Sequence, residues 1–251
     1  MKKYDKILNL ILPIVTIVFI LVVWTVSAIV TDNEYILPSI SETLREFFRL
    51  FTDKKFYLAL TFTLLRSVIA FLFSFFVASI LDFISVKSKK AERLIIPLVS
   101  IIRSLPTLAI VLLLLIWTNN QIAPVIVTSL VVMPTTYTQI KNALDSVDKT
   151  SVEAGMVDGA SKKASFFKIE LPQIAPAIYA VIGSGIALNL KLMVAAEVMS
   201  ATVKSLGTIL NISNYNGEIA KMLAVVLVVL ILGLIIEFSF NKLCEKTGEW
   251  K

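Results

Sequence analysis

Histidine is absent from this 251-residue sequence, and the single cysteine, Cys244, lies near the C-terminus. These missing residue types exclude disulfides within the chain, His/Cys metal sites, Ser-His-Asp triads and Cys-His nucleophiles. A Ser-Lys pair or two carboxylates could still catalyse a reaction, but no two such residues have a persuasive spacing. The sequence therefore predicts no catalytic residue and no metal site.

Charged residues inside apolar segments are the strongest candidates for a binding role. Arg66, Arg103, Lys191 and Glu197 each lie in a segment that could span a membrane. A charge at the centre of a span costs about 2.5–3.5 kcal/mol on insertion scales, so such side chains should face the helix bundle or a wet cavity. Together with Asn189, these residues are our candidates for a translocation pathway. Three cations against one anion favour an anionic or zwitterionic solute.

Lys191 stands apart from the other candidates, because two different roles fit it equally well. It could form an ion pair with an acid, or it could contact an anionic group of a solute, and the sequence leaves both alternatives open. Lys191 and Glu197 are six residues apart, so the two side chains do not share one face of a helix.

A polar segment, EAGMVDGASKKASFFKIELP, occupies residues 153–172 between two apolar runs. Thr150 and Glu153 form a T-x-x-E capping box, which predicts a helix that begins near Ser151. Gly159 predicts the end of this helix, because glycine accepts the left-handed conformation that ends helices.

A second short helix is predicted after this turn. Ser161 can cap its first turn, and Pro172 is expected to end it. Phe166 and Phe167 lie in this helix beside basic residues. Two interpretations remain open: the aromatic rings dock a soluble partner, or they face the membrane while the lysines contact lipid phosphates.

Long apolar runs must position these residues. Hydrophobic residues make up 57% of the sequence, more than the ~45–50% of a soluble domain. A helix that crosses a bilayer needs roughly 20 apolar residues. We therefore predict an all-α membrane protein with one transmembrane domain over residues 1–251. Its six predicted spans are residues 7–30, 56–81, 94–116, 122–140, 174–198 and 219–240.

The distribution of Lys and Arg predicts the orientation of these spans. Most of the Lys and Arg residues outside the spans fall on the same side as the N-terminus, so the positive-inside rule places both termini in the cytoplasm. The loop of residues 141–173 is then cytoplasmic. The net charge of +6 is not gathered into a patch, so nucleic acid is not a predicted partner.

The outer loop after the first span predicts an amphipathic helix. In LPSISETLREFFRLF, Ser39 and Glu42 form a capping box, and apolar residues recur from Leu44 with helical spacing. A helix that lies on the outer membrane face or packs on the bundle is favoured. Contact with an extracellular partner is the alternative.

The polar segment resembles the EAA motif of ABC-importer permease subunits, EAA-x3-G-x9-I-x-LP. The residues that match its spacing are Glu153, Ala154, Gly155, Gly159, Ile169, Leu171 and Pro172. Gly155 stands where the family has its second alanine. The segments YILPSISETL, LTFTLLRSVIAFL, IPLVSIIRSLPTLAIVLLLLIW and VAAEVMSATVKSLGTIL resemble further family segments, and they resemble most the subfamily for nitrate, sulfonate, taurine and thiamine-precursor uptake.

This resemblance implies the type I ABC importer permease fold and a division of labour among subunits. A second permease copy, most simply in a homodimer, would complete the pathway, and an extracytoplasmic binding protein would deliver the solute. Two copies of an ATPase subunit would bind ATP and Mg²⁺ and receive the 141–173 loop as a coupling helix. The resemblance further implies framework roles for Arg66 and Arg103, and a location in a bacterial cytoplasmic membrane.

The sequence itself encodes no ATP site. It lacks the G-x-x-x-x-G-K-[ST] phosphate loop. An ATPase-independent channel or an ion-coupled carrier is the alternative function, for which paired interrupted helices in an internal repeat would be the expected sign. We find no convincing repeat of this kind.

Overall fold

The computed structural model describes the backbone of residues 2–248 and the side chains of residues 11–148, 150–161 and 163–245. Helices account for 85% of the structure. The remaining ends of the predicted domain, Met1 and residues 249–251, lie outside the described residues. The helices are α1 (Lys2–Thr31), α2 (Ile40–Leu50), α3 (Lys54–Lys87), α4 (Lys89–Ser104), α5 (Thr107–Trp117), α6 (Ala123–Asp145), α7 (Lys149–Val157), α8 (Lys162–Ser165), α9 (Leu171–Met199), α10 (Leu206–Tyr215) and α11 (Ile219–Gly248).

Five stretches of helix in the described residues are long and apolar enough to cross a membrane. A bent helix pair brings this number to six if it counts as one span. The five stretches are Ile11–Thr31, Lys54–Lys87, Ala123–Asp145, Lys163–Met199 and Ile219–Glu245. The chain is thus an all-α, multi-pass membrane protein.

The third predicted span, residues 94–116, is not one continuous helix. It consists of α4 and α5, which meet at a bend of 90°. Leu105 has an extended backbone, with φ −67° and ψ 131°, because a following proline disfavours the helical conformation. The predicted span is therefore broken at Pro106, between α4 and α5.

One compact unit comprises the residues up to Tyr57 together with Ile209–Val228. No side chain between residues 11 and 31 of α1 is buried. Helix α2 begins as predicted, since the Ser39 hydroxyl accepts a hydrogen bond from the Glu42 N–H at 3.2 Å. The predicted apolar face of α2 stays open, however: Phe48 is 68% exposed, while Thr43 and Leu50 are the buried residues of this helix.

The second unit comprises Leu58–Thr208 together with the residues from Val229 onward. Helices α3, α4, α6 and α9 share an apolar cluster that includes Ala78, Val99, Tyr137 and Val181. Every candidate coupling and pathway residue lies in this unit. Its packing therefore positions the site.

Candidate functional site

Helix α7 begins two residues earlier than predicted. Its N-cap is Asp148, whose carboxylate accepts hydrogen bonds from the Thr150 N–H at 3.0 Å and the Ser151 hydroxyl at 2.5 Å. The capping box of Thr150 and Glu153 is therefore not the helix start. A carboxylate with two acceptor oxygens can satisfy both donors at once, and aspartate is a stronger N-cap than threonine.

The turn after α7 forms where the sequence predicts it. Gly159 has φ +88°, its N–H donates to the Met156 carbonyl at 3.1 Å, and the Ala160 N–H donates to the Gly155 carbonyl at 3.0 Å. This pair of hydrogen bonds is a Schellman motif, which satisfies the last carbonyls of a helix. Gly159 supplies the left-handed residue that the motif needs.

The second helix of the segment does not end at Pro172. Ser161 caps it as predicted, accepting from the Ala164 N–H at 3.2 Å. A π-helical turn, Phe166–Glu170, then joins α8 to α9. Within it the Leu171 N–H donates to the Phe166 carbonyl, five residues back. A wider turn moves carbonyls away from the proline ring, so the helix continues into the membrane span.

The two halves of the motif touch each other. A Cβ atom added at Gly155 would contact the Cδ1 atom of Ile169. The Asp148 N–H also donates to the Gln173 side-chain carbonyl at 2.9 Å, which ties the start of α7 to α9. These contacts explain why glycine occupies position 155, since a residue without a side chain lets α7 lie close to Ile169.

The outer surface of this helical pair is open. Glu153, Ala154 and Gly159 are exposed, as are Leu171 and Pro172 at the start of α9. Val157 is 87% exposed and Phe167 is 55% exposed. The Phe166 and Phe167 rings pack edge to face at 5.2 Å between centroids. An apolar tip of this kind suits contact with another protein or with lipid.

We expect Asp148→Ala to loosen the first turn of α7, because the Thr150 N–H and the Ser151 hydroxyl lose their acceptor. Hydrogen exchange of peptides from residues 149–157 should accelerate several-fold in this variant. Asp148→Asn keeps an acceptor oxygen and should change exchange less. Equal exchange in the two variants would contradict a capping role.

The same cap should depend on pH. The pKa of Asp148 lies below its usual value, first because the Ser151 hydroxyl donates to the carboxylate and then because the Thr150 N–H does. A lowered folded-state pKa stabilises the helix above the unfolded pKa of about 3.9. That contribution is lost as the pH falls through the folded-state pKa. Protection of the α7 amides, measured relative to their intrinsic exchange rate at each pH, should therefore fall only on acidification below about pH 4.

Arg66 and Glu197 form a buried ion pair between α3 and α9. The Arg66 Nη1 lies 3.0 Å from the Glu197 Oε1, and the two side chains are 12% and 0% exposed. The Thr63 hydroxyl donates to the other carboxylate oxygen at 2.8 Å. The Arg66 Nη2 donates to the Gln121 side chain at 2.6 Å and to the Val203 carbonyl at 3.3 Å. Hydrogen bonds on both ions make burial of the pair tolerable.

A strained loop, to which Arg66 donates at the Val203 carbonyl, joins α9 to α10. Ala201 and Lys204 have φ values of +49° and +52°, a conformation that is uncommon outside glycine. The Thr202 hydroxyl donates to the Asn120 carbonyl at 2.7 Å, and the Asn120 side chain donates to the Ala201 carbonyl at 3.2 Å. The loop is thereby fixed to the segment that precedes α6.

Two other predicted residues make framework contacts. Arg103 Nη2 donates to the Pro134 carbonyl at 3.0 Å and to the Thr138 hydroxyl at 2.5 Å, so it joins α4 to α6. Asn189 is fully buried and accepts a hydrogen bond from the Ser67 hydroxyl at 3.3 Å. Neither side chain is among those that line the cavity around Lys191.

Lys191 has a different environment. It lines a cavity of about 240 Å³ with Glu237 of α11. Sequence reasoning overlooked Glu237, although it lies inside the predicted span 219–240 and the rule that selected Lys191 applies to it equally. Glu237 adds a second anion to the three cations and one anion that were selected from the sequence. The charge argument for an anionic solute is correspondingly weaker.

Comparison with known proteins gives a family and a fold. Residues 70–246 match the family model described as "Binding-protein-dependent transport system inner membrane component". No curated protein matches the sequence.

Solved structures of ABC transporters resemble the chain. The MetNI methionine ABC transporter in an inward-facing conformation matches with a TM-score of 0.65 and 18% identity, over 76% of this chain and 96% of that chain. An amino acid ABC transporter crystallised with histidines matches with a TM-score of 0.57 and 17% identity, over 73% of this chain and 87% of that chain. At these identities the likeness establishes the fold alone.

Proposed function

The chain belongs to the binding-protein-dependent transport system inner membrane components, and we propose that it moves a small polar or anionic solute across the membrane. It is a permease component of an ABC importer, with the type I permease fold. The proposed solute is of the sulfonate, taurine, nitrate or vitamin-precursor type. An extracytoplasmic solute-binding protein delivers it, and the membrane is the cytoplasmic membrane of a bacterium.

The observation that carries the coupling role is the contact between the two halves of the motif. Gly155 of α7 lies against Ile169, and Asp148 is bonded to Gln173 of α9. The π-helical turn continues into α9 without a break. A displacement of the exposed tip, for example at Val157, would therefore be transmitted directly to the membrane-spanning helix α9.

We propose that this tip, α7 with the turn at Gly159 and α8, docks on a separate ATPase subunit. Two ATPase copies would bind and hydrolyse ATP with Mg²⁺, while this chain contributes neither a catalytic residue nor a cofactor. A homodimer of the permease would enclose the pathway. ATP binding then favours the conformation to which the closed ATPase pair binds more tightly.

Replacing Gly159 by valine is the direct test of this role. A left-handed backbone costs a side chain with a Cβ about 1–2 kcal/mol, or roughly tenfold in population, and β-branched residues tolerate it least. A Cβ atom at Gly159 meets nothing within 4 Å in the chain, so its effect should come from the turn and the partner. We expect solute-stimulated ATP hydrolysis of the reconstituted complex to fall about tenfold or more.

Gly159→Asn is the matched control, because asparagine accepts the left-handed conformation. It should keep most of the stimulated hydrolysis. Co-purification of the ATPase with each variant separates lost docking from lost transmission. Normal stimulated hydrolysis in Gly159→Val would refute the coupling role.

A further inference from the structure

A cavity between α6, α9 and α11 collects polar groups at membrane depth. It has a volume of about 240 Å³. Thr136 and Gln139 line it from α6, Ser184 and Lys191 from α9, and Glu237 from α11. Residues 132, 136 and 139 share one helical face, as do residues 184, 188 and 191. Polar side chains from three helices thus line the same cavity.

The two charges in this cavity differ from the buried charges of the framework. Among the residues whose side chains are described, neither Lys191 nor Glu237 makes a salt bridge within 4.0 Å. The contrast with Glu197 is clear, since that carboxylate is fully buried and paired with Arg66. Unpaired charges at membrane depth face water or a ligand, because lipid cannot solvate them.

The cavity is reachable from the surface of the chain. Lys191 is exposed and Glu237 is half-buried, and Leu188 beside them is 37% exposed. Lys191 lies eight residues before the end of α9 at Met199, which is about 12 Å along the helix. Its Cε atom lies 3.6 Å from the Cβ position of Gly233. The stem of Lys191 therefore runs over the bare backbone of α11, four residues from Glu237.

We propose that this cavity is a solute subsite for zwitterions. Lys191 contacts the carboxylate or sulfonate of the solute, and Glu237 contacts its ammonium group. Hydroxyl and amide groups such as Ser184 and Gln139 complete the polar contacts. Of the five sequence-based candidates, Lys191 alone meets the solute, while Arg66, Arg103, Asn189 and Glu197 hold the framework. The inference rests on the proposed transport function and narrows its solute class.

The solute class can be tested by binding to the full chain in lipid nanodiscs. The probes are three pools: the α-amino acids with taurine, the matched hydroxy acids with isethionate, and the matched amines without the acid group. Compounds retained after equilibrium dialysis are measured by mass spectrometry. We expect retention of at least one zwitterion, at least about tenfold above its anionic and cationic analogues, which is a difference of about 1.4 kcal/mol.

Single charge removals should change the preference in opposite directions. Lys191→Met should lose the zwitterion and retain amines relatively better, whereas Glu237→Gln should lose it and retain anions relatively better. Unfolding could not produce opposite shifts. Lys242→Met, which removes an exposed charge elsewhere on α11, is the matched control and should bind as the unaltered chain does.

Three results would overturn the zwitterion subsite. They are equal retention of anions and zwitterions, no retention from any pool, or unchanged binding in both cavity variants. Both cavity variants should still co-purify with the ATPase, and the control Lys242→Met should also support its basal hydrolysis. A failed binding result with intact coupling would therefore remove only the subsite, whereas normal coupling in Gly159→Val would remove the proposed coupling role.

Discussion

Replacing Arg66 by methionine is expected to lower the free energy of unfolding by about 3–5 kcal/mol, because it strands the buried Glu197 carboxylate without its counter-ion. Glu197 would keep the Thr63 hydroxyl as a donor at 2.8 Å, but one neutral donor does not replace a guanidinium. Gln121 and the Val203 carbonyl would lose their donor as well. Unfolding by SDS in mixed micelles, followed by circular dichroism, measures the loss.

The double variant Arg66→Met with Glu197→Gln separates the cost of the stranded charge from the value of the pair. Removing both charges should recover a large part of the loss, because the desolvation cost of the carboxylate disappears with it. A double variant that is as unstable as Arg66→Met would show that the contacts to Gln121 and Val203 are what matter. A loss below about 1 kcal/mol in Arg66→Met would contradict a dry ion pair.

Local signals in the sequence predicted the ends of helices well. The Ser39 cap, the Gly159 turn and the Ser161 cap form at the predicted residues. Each depends on one residue type and on backbone groups within three positions, so neighbouring sequence contains the whole cause. The break before Pro106 also has a local cause, since a proline disfavours the helical conformation of the residue before it, but sequence could not give the angle of 90° between α4 and α5. That angle depends on tertiary packing.

Choices between competing local signals were harder. Asp148 and Thr150 both offer an N-cap, and the aspartate wins because its carboxylate satisfies two donors. Pro172 looked like a helix end, yet a π-helical turn carries the chain past it. Continuing the helix balances the cost of this turn against the backbone hydrogen bonds of the long helix α9. The sequence pattern cannot reveal that balance.

Contacts between residues far apart in sequence decide which charges belong to the framework and which line the cavity. Arg66 and Glu197 are 131 residues apart in sequence, and Gln121 joins them from a third segment. A single sequence shows that each of these charges is costly in a membrane, but not which ones meet. The sequence therefore could not show whether Lys191 or Glu197 forms an ion pair. Only the structure places one in a closed network and the other in a cavity.

Replacing Gly207 by alanine is expected to destabilise the chain by about 2–3 kcal/mol, the upper part of the range for overpacked sites. The added Cβ atom would lie 2.5 Å from the Glu197 Cβ and 2.6 Å from both the Glu197 carbonyl carbon and the Val198 nitrogen. Two of these three neighbours are backbone atoms, so a change of side-chain rotamer cannot relieve the overlap. The start of α10 would have to move away from α9. The Gly207 N–H, 3.5 Å from the Glu197 carboxylate, would move with it.

Gly155→Ala is the matched comparison, because its added Cβ atom also meets a close neighbour. That neighbour is the Cδ1 atom of Ile169, the far end of a flexible side chain, which can rotate away. Alanine also favours a helix over glycine by about 0.5–1 kcal/mol. We therefore expect Gly155→Ala to change stability by less than about 1 kcal/mol in either direction. The same SDS unfolding experiment compares the two variants. Equal losses would contradict the view that the identity of the contacted atom, backbone or flexible side chain, decides the effect.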